Sequence, residues 1–231
     1  MPSISPGDRE WLQSRYKRLL VTEYDNKLLL RGVFDLHAEY KDIVIDDAYV
    51  VRFDIPLAGG RPKLEVTDGR LIKVMAHKGL RAKSELHMYT DGYLCTITPQ
   101  EWDLEFDGNV NVRHFLMEYV EPYFYAQSYF ESKGEWPWKH YAHNAPGLVQ
   151  WYLEKWKLDG AAKATALELA NLLGKDDYAV DLAARAVKEG GFSFWHDCLC
   201  GSGKGYIDCH PLLANLAQEL RYIIGFSTAT Q

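Results

Sequence analysis

Four cysteines are the residues of this chain whose type and spacing could support chemistry. Three of them, Cys198, Cys200 and Cys209, lie in one twelve-residue stretch and are followed directly by His210. The fourth, Cys95, stands alone more than a hundred residues upstream. Clustered thiols beside an imidazole are typical of a metal site, whereas an isolated thiol is a candidate nucleophile. The spacing therefore predicts a metal site near the C-terminus and a reactive cysteine in the first half.

The cluster supplies three thiolates and one imidazole, which is a complete tetrahedral ligand set for zinc. Three glycines between Cys200 and Cys209 adopt positive φ at little cost, so a short loop can fold around one ion. Disulfides are the alternative. Residues 1–20 lack the apolar core of a secretory signal, so we expect a cytoplasmic, reducing location without disulfides. The expected cofactor is one structural zinc ion bound by Cys198, Cys200, Cys209 and His210.

The string from Cys198 to His210 resembles the SEC-C motif, the short zinc module at the C-terminus of the bacterial secretion ATPase. The Cys-x-Cys-Gly-Ser-Gly-Lys core and Tyr206 match the motif, and Leu199 stands where proline is usual. The segment is not a phosphate-binding loop, because such a loop needs a Ser or Thr where Gly205 stands. Modules of this kind usually serve docking, so the resemblance implies an adaptor role.

Length, composition and charge exclude several classes of protein. The chain has 231 residues, of which 47% are hydrophobic, enough for one sizeable core and a smaller second one. It contains no apolar stretch of about eighteen residues, so we expect no membrane-spanning helix. The formal net charge of -6 argues against broad nucleic-acid binding, which normally shows a basic surplus.

Hydrophobic periodicity predicts the elements that position Cys95. Apolar residues at helical spacing predict a first helix over residues 8–22. Alternating apolar and polar residues then predict strands over 28–40 and 49–55, the second ending at Pro56. A glycine-rich turn leads to a short third strand at 64–66. These three strands are expected to form an antiparallel meander.

Helical patterns return from Asn111. Aromatic and aliphatic residues form one broad face there, which we interpret as core rather than as a cofactor site, and Pro122 should kink or begin a helix. Further helices are predicted over 147–158, 161–173 and 178–188. We therefore divide the chain into a domain of residues 1–158 and a helical hairpin with the zinc motif over 159–231.

Residues on both sides of the third strand carry a second resemblance, namely Glu65, Gly69-Arg70, His87, Asp91-Gly92 and Leu94-Cys95. They resemble the active-site flap of the ubiquitin-conjugating family, in which a histidine precedes a Gly-x-hydrophobic-Cys step. Residues 8–157 more closely resemble bacterial relatives encoded in cyclic-oligonucleotide anti-phage signalling operons. The resemblance implies an α+β fold: a ubiquitin-conjugating-like antiparallel meander flanked by helices, followed by the small helical region that ends in the zinc motif.

The resemblance also implies an activity. The Cys95 thiolate would carry the C-terminal carboxyl of a partner protein as a thioester, which an amine then displaces to form an amide. The implied partner is a cGAS-like nucleotidyltransferase or another protein with an exposed C-terminus. A thioester does not form spontaneously from a carboxylate, and the chain has no recognisable nucleotide-binding motif. A partner must therefore bring the activated carboxyl, or this chain must receive it by transfer, for example from a separate activating enzyme.

The chain departs from the eukaryotic family beside the cysteine. Where those enzymes have His-Pro-Asn, this chain has His87-Met88-Tyr89, and the spacing to Cys95 is shorter. The missing asparagine stabilises the oxyanion, a contribution worth about 3 kcal/mol. The Tyr89 hydroxyl or backbone amides near Cys95 are candidates to replace it. His87 is expected to act as a supporting hydrogen-bonder, and His87 or His114 could lower the pKa of the thiol.

Three functions remain open on the sequence. The first is a conjugating enzyme, and the second is a non-catalytic binding module of the same fold, which the missing asparagine favours. The third is a zinc-dependent adaptor with the larger domain as its scaffold. Cys95 itself could instead be a small buried apolar residue, the usual role of a lone cysteine. We favour the enzyme, with Cys95, His87 and Tyr89 in its catalytic site.

Overall fold

The computed structural model describes residues 4–98, 101–102, 105–106 and 110–138. All of them belong to one compact unit, Met1–Lys139. The helices predicted beyond residue 139, the domain boundary at 158 and the zinc motif lie outside these ranges. Within the ranges, none of the helices has the length and apolar character needed to cross a membrane.

The chain begins with a helix that is shorter than the sequence pattern suggests. Helix α1 spans Pro6–Arg15 and is capped by Ser5, whose hydroxyl accepts the Asp8 N–H at 3.0 Å. The prediction that this helix continues to Thr22 is wrong, because strand β1 spans Leu19–Tyr24. Leu19 is 8% exposed and Leu20 is 68% exposed, which is the inside–outside alternation of a strand. Pairing with β2 therefore overrides the helical spacing.

Four antiparallel strands form the sheet in the order β1-β2-β3-β4. Strand β2 spans Lys27–Tyr40, β3 spans Ile43–Pro56 and β4 spans Lys63–Val66, so the three predicted strands are confirmed and β1 is added to them. Two-residue turns join the first three strands. Both residues of each turn have positive φ, which matches the right-handed twist of the flanking strands. The fold is therefore α+β, as predicted.

A close backbone contact fixes where β1 joins the sheet. Gly32 on β2 has φ 129°, and a Cβ placed there would lie 2.3 Å from the Arg18 carbonyl oxygen. The Val33 N–H donates to that same oxygen at 3.1 Å. A side chain at Gly32 would therefore push β1 off the sheet.

The core lies between one face of the sheet and the helices after residue 111. Helix α3 spans Val112–Phe115 and continues through a π-helical turn, Leu116–Val120, into α4, Glu121–Lys133. Phe124 on α4 packs against Phe34 and Tyr49, with ring centroids 5.1 and 4.3 Å apart respectively. The interpretation of the aromatic run as core is therefore confirmed. Its fully buried members are Phe115, Leu116, Val120 and Phe124.

Pro122 lies in the first turn of α4, in agreement with the prediction that it begins or kinks a helix. Proline has no N–H, so the carbonyl four residues before it loses its ordinary helical donor. Just before the proline, the Glu121 N–H donates to the Leu116 carbonyl, five residues back rather than four, which is the π-helical pattern. The helix thus passes the proline without ending.

The sequence pattern did not predict helix α2, Arg70–Lys78, which lies between β4 and the cysteine segment. Arg70 forms ion pairs with Asp47 on β3 at 2.6 Å and with Glu131 on α4 at 2.7 Å. Its guanidinium also lies over the Tyr49 ring, 4.2 Å from the centroid. Arg70 therefore joins α2 to both the sheet and the helix layer.

Candidate active site

Cys95 ends a tight hairpin, His87–Cys95, which we call the flap. A 3₁₀ helix, Lys83–Leu86, leads into it, and the chain reverses where the Gly92 N–H donates to the Tyr89 carbonyl at 2.9 Å. Gly92 has φ 96°, a conformation that favours glycine, so the predicted Asp91-Gly92 turn is present. The flap closes where the Cys95 N–H donates to the His87 carbonyl at 2.7 Å.

The flap is anchored at both ends. The Leu94 N–H donates to the Leu64 carbonyl on β4 at 2.8 Å, which holds the cysteine end against the sheet. At the other end, the Leu86 carbonyl accepts from the Tyr123 hydroxyl at 3.0 Å and from Gln127 Nε2 at 2.7 Å. Both donors are buried on α4. Core packing therefore determines the position of the cysteine.

The Cys95 thiol is partly exposed and has the Tyr89 side chain as its hydrogen-bond partner. Burial raises the pKa of Cys95, and the charge of Glu101 raises it further, while the hydrogen bond from Tyr89 acts in the opposite direction. The net shift is upward, so Cys95 is a neutral thiol at neutral pH. The expectation that His87 or His114 lowers the pKa is therefore wrong.

Tyr89 supplies a hydroxyl donor at the sulfur. Burial, the neighbouring Cys95 and its hydrogen bond raise the pKa of Tyr89, while the Arg61 charge opposes them. The phenol therefore stays protonated and able to donate throughout the physiological range. The other candidate donor was a backbone amide near Cys95, and the amide of Cys95 itself is already bonded to the His87 carbonyl. Tyr89 is the candidate donor whose hydrogen bond acts on the thiol.

The histidines contribute differently from what the sequence suggests. His87 has φ 51°, and its carbonyl holds the Cys95 amide, while its ring packs edge-on against Trp136 at 5.2 Å between centroids. The main chain of His87 thus helps to close the flap, and the supporting hydrogen bond expected of this histidine stays a prediction. His114 Nε2 lies 2.9 Å from a Glu105 carboxylate oxygen. That contact pairs His114 with Glu105 in a hydrogen bond at the surface.

A cleft of about 290 Å³ opens beside the flap. Its lining includes Tyr89 together with Leu94 and Thr96, the two neighbours of Cys95 in the chain. Lys63 packs over the Tyr93 ring, with its amine 5.4 Å from the centroid. The other lining residues in the described ranges are Arg61, Pro62, Leu64, Asp91, Ile97, Thr98 and Trp102.

Sequence reasoning missed the residues that fix the flap. Tyr123 was assigned only to the aromatic core, and Gln127 was not considered. Gln127 is 2% exposed, and a polar residue on an otherwise apolar helical face signals a specific hydrogen bond. The Lys83 amine, which donates to the Thr90 carbonyl at 2.9 Å, carried no sequence signal.

The chain matches no protein-family model, no curated protein and no solved structure. The four predicted zinc ligands lie outside the described residues. Within the described ranges, no group of three or more His, Cys, Asp or Glu side chains is arranged to bind a metal ion. Any functional assignment therefore depends on the chemistry of Cys95 and its surroundings.

Proposed function

We propose that this chain is a ubiquitin-conjugating-like transferase that carries the C-terminus of a partner protein as a thioester on Cys95. The observation that supports this most directly is the hydrogen bond from Tyr89 to the Cys95 thiol, beside a cleft lined by Tyr89 and by both chain neighbours of Cys95. A cysteine that is merely a core residue would need neither a phenol donor nor an adjacent opening. The α1–meander–cysteine order of elements agrees with this proposal.

The transfer consists of two acyl exchanges. In the first, the Cys95 thiolate attacks the thioester carbonyl of an activated donor, a new S–C bond forms, and the donor thiol leaves with the proton that Cys95 lost. In the second, an amine attacks the Cys95 thioester, the S–C bond breaks, and the amine proton returns to the sulfur. Each exchange passes through an oxyanion, which the Tyr89 hydroxyl is positioned to stabilise.

The raised pKa of Cys95 suits a carrier that reacts with donors already activated. A thiol with a higher pKa is a poorer leaving group, so the loaded thioester resists attack by water. Activation by a separate enzyme supplies the free energy that thioester formation requires. We propose that the gene for this chain belongs to an anti-phage operon. The protein that Cys95 carries would be a cGAS-like nucleotidyltransferase, and the reaction would take place in the cytoplasm.

The C-terminal region would carry one structural zinc ion on Cys198, Cys200, Cys209 and His210. Three thiolates and an imidazole suit zinc better than calcium or magnesium, which prefer oxygen ligands. A closed site of this kind stabilises a small fold and leaves no coordination position for substrate. In this proposal the module docks a partner and takes no part in acyl transfer.

A second candidate function is a non-catalytic binding module of the same fold. The upward shift of the Cys95 pKa favours it, because such a thiol is mostly unreactive near pH 7. Alkylation with iodoacetamide between pH 6 and 10 separates the two candidates. In the transferase, Cys95 is alkylated at a rate that rises about tenfold per pH unit below the thiol pKa. The Cys95→Ala variant lacks this reaction. A thiol that fails to react even at pH 10 would support the binding module.

Intact-protein mass spectrometry tests the proposed transferase. The full chain is co-expressed with the proteins encoded beside it, as the native sequence and as Cys95→Ala and Cys95→Ser. The expected result is an adduct on the native protein that a thiol reagent removes. Cys95→Ser should keep the adduct as an ester that resists the reagent, and Cys95→Ala should show none. Unmodified mass in all three proteins would contradict the proposal.

A further inference from the structure

The cleft beside Cys95 has a charge balance opposite to that of the whole chain. Two cations, Arg61 and Lys63, and one carboxylate, Asp91, are among its lining residues in the described part of the chain. The complete chain carries a formal net charge of -6. The Asp91 carboxylate accepts the Tyr93 N–H at 3.2 Å. Among the described lining residues, cations therefore outnumber carboxylates.

The two cations lie on the segment that leads into β4 and continues along it. Arg61 and Lys63 are both exposed, and the Arg61 charge acts on the Tyr89 hydroxyl that contacts Cys95. The charge of Glu101, by contrast, acts on the Cys95 thiol itself. The Arg61 charge thus acts on the Tyr89 hydroxyl, and Arg61 also lines the cleft. Aromatic and apolar surface from Tyr93, Leu94 and Trp102 lies beside it.

We infer that this cleft selects acyl donors whose C-terminal tail carries acidic side chains immediately before the residue that is transferred. The inference rests on the proposed function and specifies its substrate class. A volume of about 290 Å³ suits a few residues of an extended tail rather than a folded domain. Arg61 and Lys63 pair with the acidic side chains, and the apolar wall packs against the backbone. Electrostatic complementarity of this kind chiefly determines which partner binds.

Synthetic peptide thioesters test this selection without an activating enzyme. Three peptides are identical except for the pair of residues before the last one, which is Glu-Glu, Gln-Gln or Lys-Lys. Each carries 2-mercaptoethanesulfonate on its C-terminal carbonyl. Cys95 displaces this small thiol, which leaves with the proton from Cys95. The rate of adduct formation on the full-length protein is measured by intact mass.

The Glu-Glu peptide is expected to react about fivefold faster than the Gln-Gln peptide at low salt, which is the upper range for exposed ion pairs. The Lys-Lys peptide should be slowest, and high salt should reduce all the differences. The double variant Arg61→Glu/Lys63→Glu should reverse the order. Lys73→Glu, which reverses a single charge at an exposed position on α2, should preserve it.

The outcomes separate this inference from the proposed function. Equal rates for the three peptides, or an order unchanged in the double variant, would overturn the charge selection while leaving Cys95 as an acyl carrier. Failure of every peptide to form an adduct would overturn both. A reversed order cannot come from misfolding, because a damaged protein would lose all three rates together.

Discussion

Replacing Tyr89 with phenylalanine removes the hydroxyl at Cys95 and keeps the ring that lines the cleft. The side chain is 41% exposed, so its hydrogen bond is weaker than that of a fully buried donor. A hydrogen bond to a charged group contributes about 1.5 kcal/mol at the low end of its range. That free energy corresponds to roughly a tenfold loss in the rate of acyl transfer. The pKa of Cys95 should also rise, because the Tyr89 hydrogen bond lowers it.

The assay is single-turnover discharge of preloaded protein to a free amine, followed by intact mass. Tyr24→Phe is a matched control, since Tyr24 lies on β1 and has the same 41% exposure. Iodoacetamide rates across pH report the thiol pKa separately. Discharge of Tyr89→Phe at the native rate, with an unchanged alkylation profile, would refute the role assigned to this hydroxyl. Thermal unfolding of both variants checks that the fold is intact.

Two further predictions concern stability and metal content. Arg70→Met should lower the free energy of unfolding by about 2 kcal/mol, because it leaves the Asp47 and Glu131 carboxylates without their shared cation. The pKa of Asp47 is lowered in the fold: burial raises it, but the Arg70 and Ser128 hydrogen bonds outweigh burial. Ionised Asp47 therefore stabilises the fold above about pH 4, and this contribution is lost as the pH falls further. In Arg70→Met, the free energy of unfolding should therefore fall less steeply with decreasing pH, as measured by denaturation at a series of acid pH values. Atomic absorption should find one zinc ion per native chain and much less zinc in the Cys200→Ser variant. The Cys95→Ser variant should keep its zinc. Equal zinc content in all three proteins would contradict the proposed ligand set.

Alternation in the sequence predicted the strands well because each one buries a single face. Strand β2 buries one face, which consists of Leu28, Leu30, Phe34 and Leu36. These apolar residues therefore follow a two-residue period along the strand, and no turn interrupts it. Strand β1 was missed because Leu19 and Leu20 fit both a helical stripe and an alternating strand. Only pairing with β2 decides between these patterns, and pairing is a long-range interaction.

The missed helix α2 and the missed site residues have a related explanation. Helix α2 buries Leu71 and Val74 but has only nine residues, fewer than the window of about 11 to 18 over which helical periodicity is normally read. Within the site, Cys95 and Tyr89 are close in sequence and lie on either side of the turn that Asp91-Gly92 predicts. Arg61, Trp102 and Gln127 reach the site from other elements, and spacing along the chain carries no information about such approaches.

The two hydrogen bonds to the Leu86 carbonyl determine how early the site can form while the chain is being synthesised. Its donors, Tyr123 and Gln127, follow Leu86 by 37 and 41 residues. A growing chain exposes Cys95 well before α4 has left the ribosome, and contacts of such sequence separation form late in folding. During that interval the flap lacks its anchor on the helix layer. In the proposed transferase, only a chain that has completed its core would be competent for acyl transfer, so unfinished chains would not be loaded.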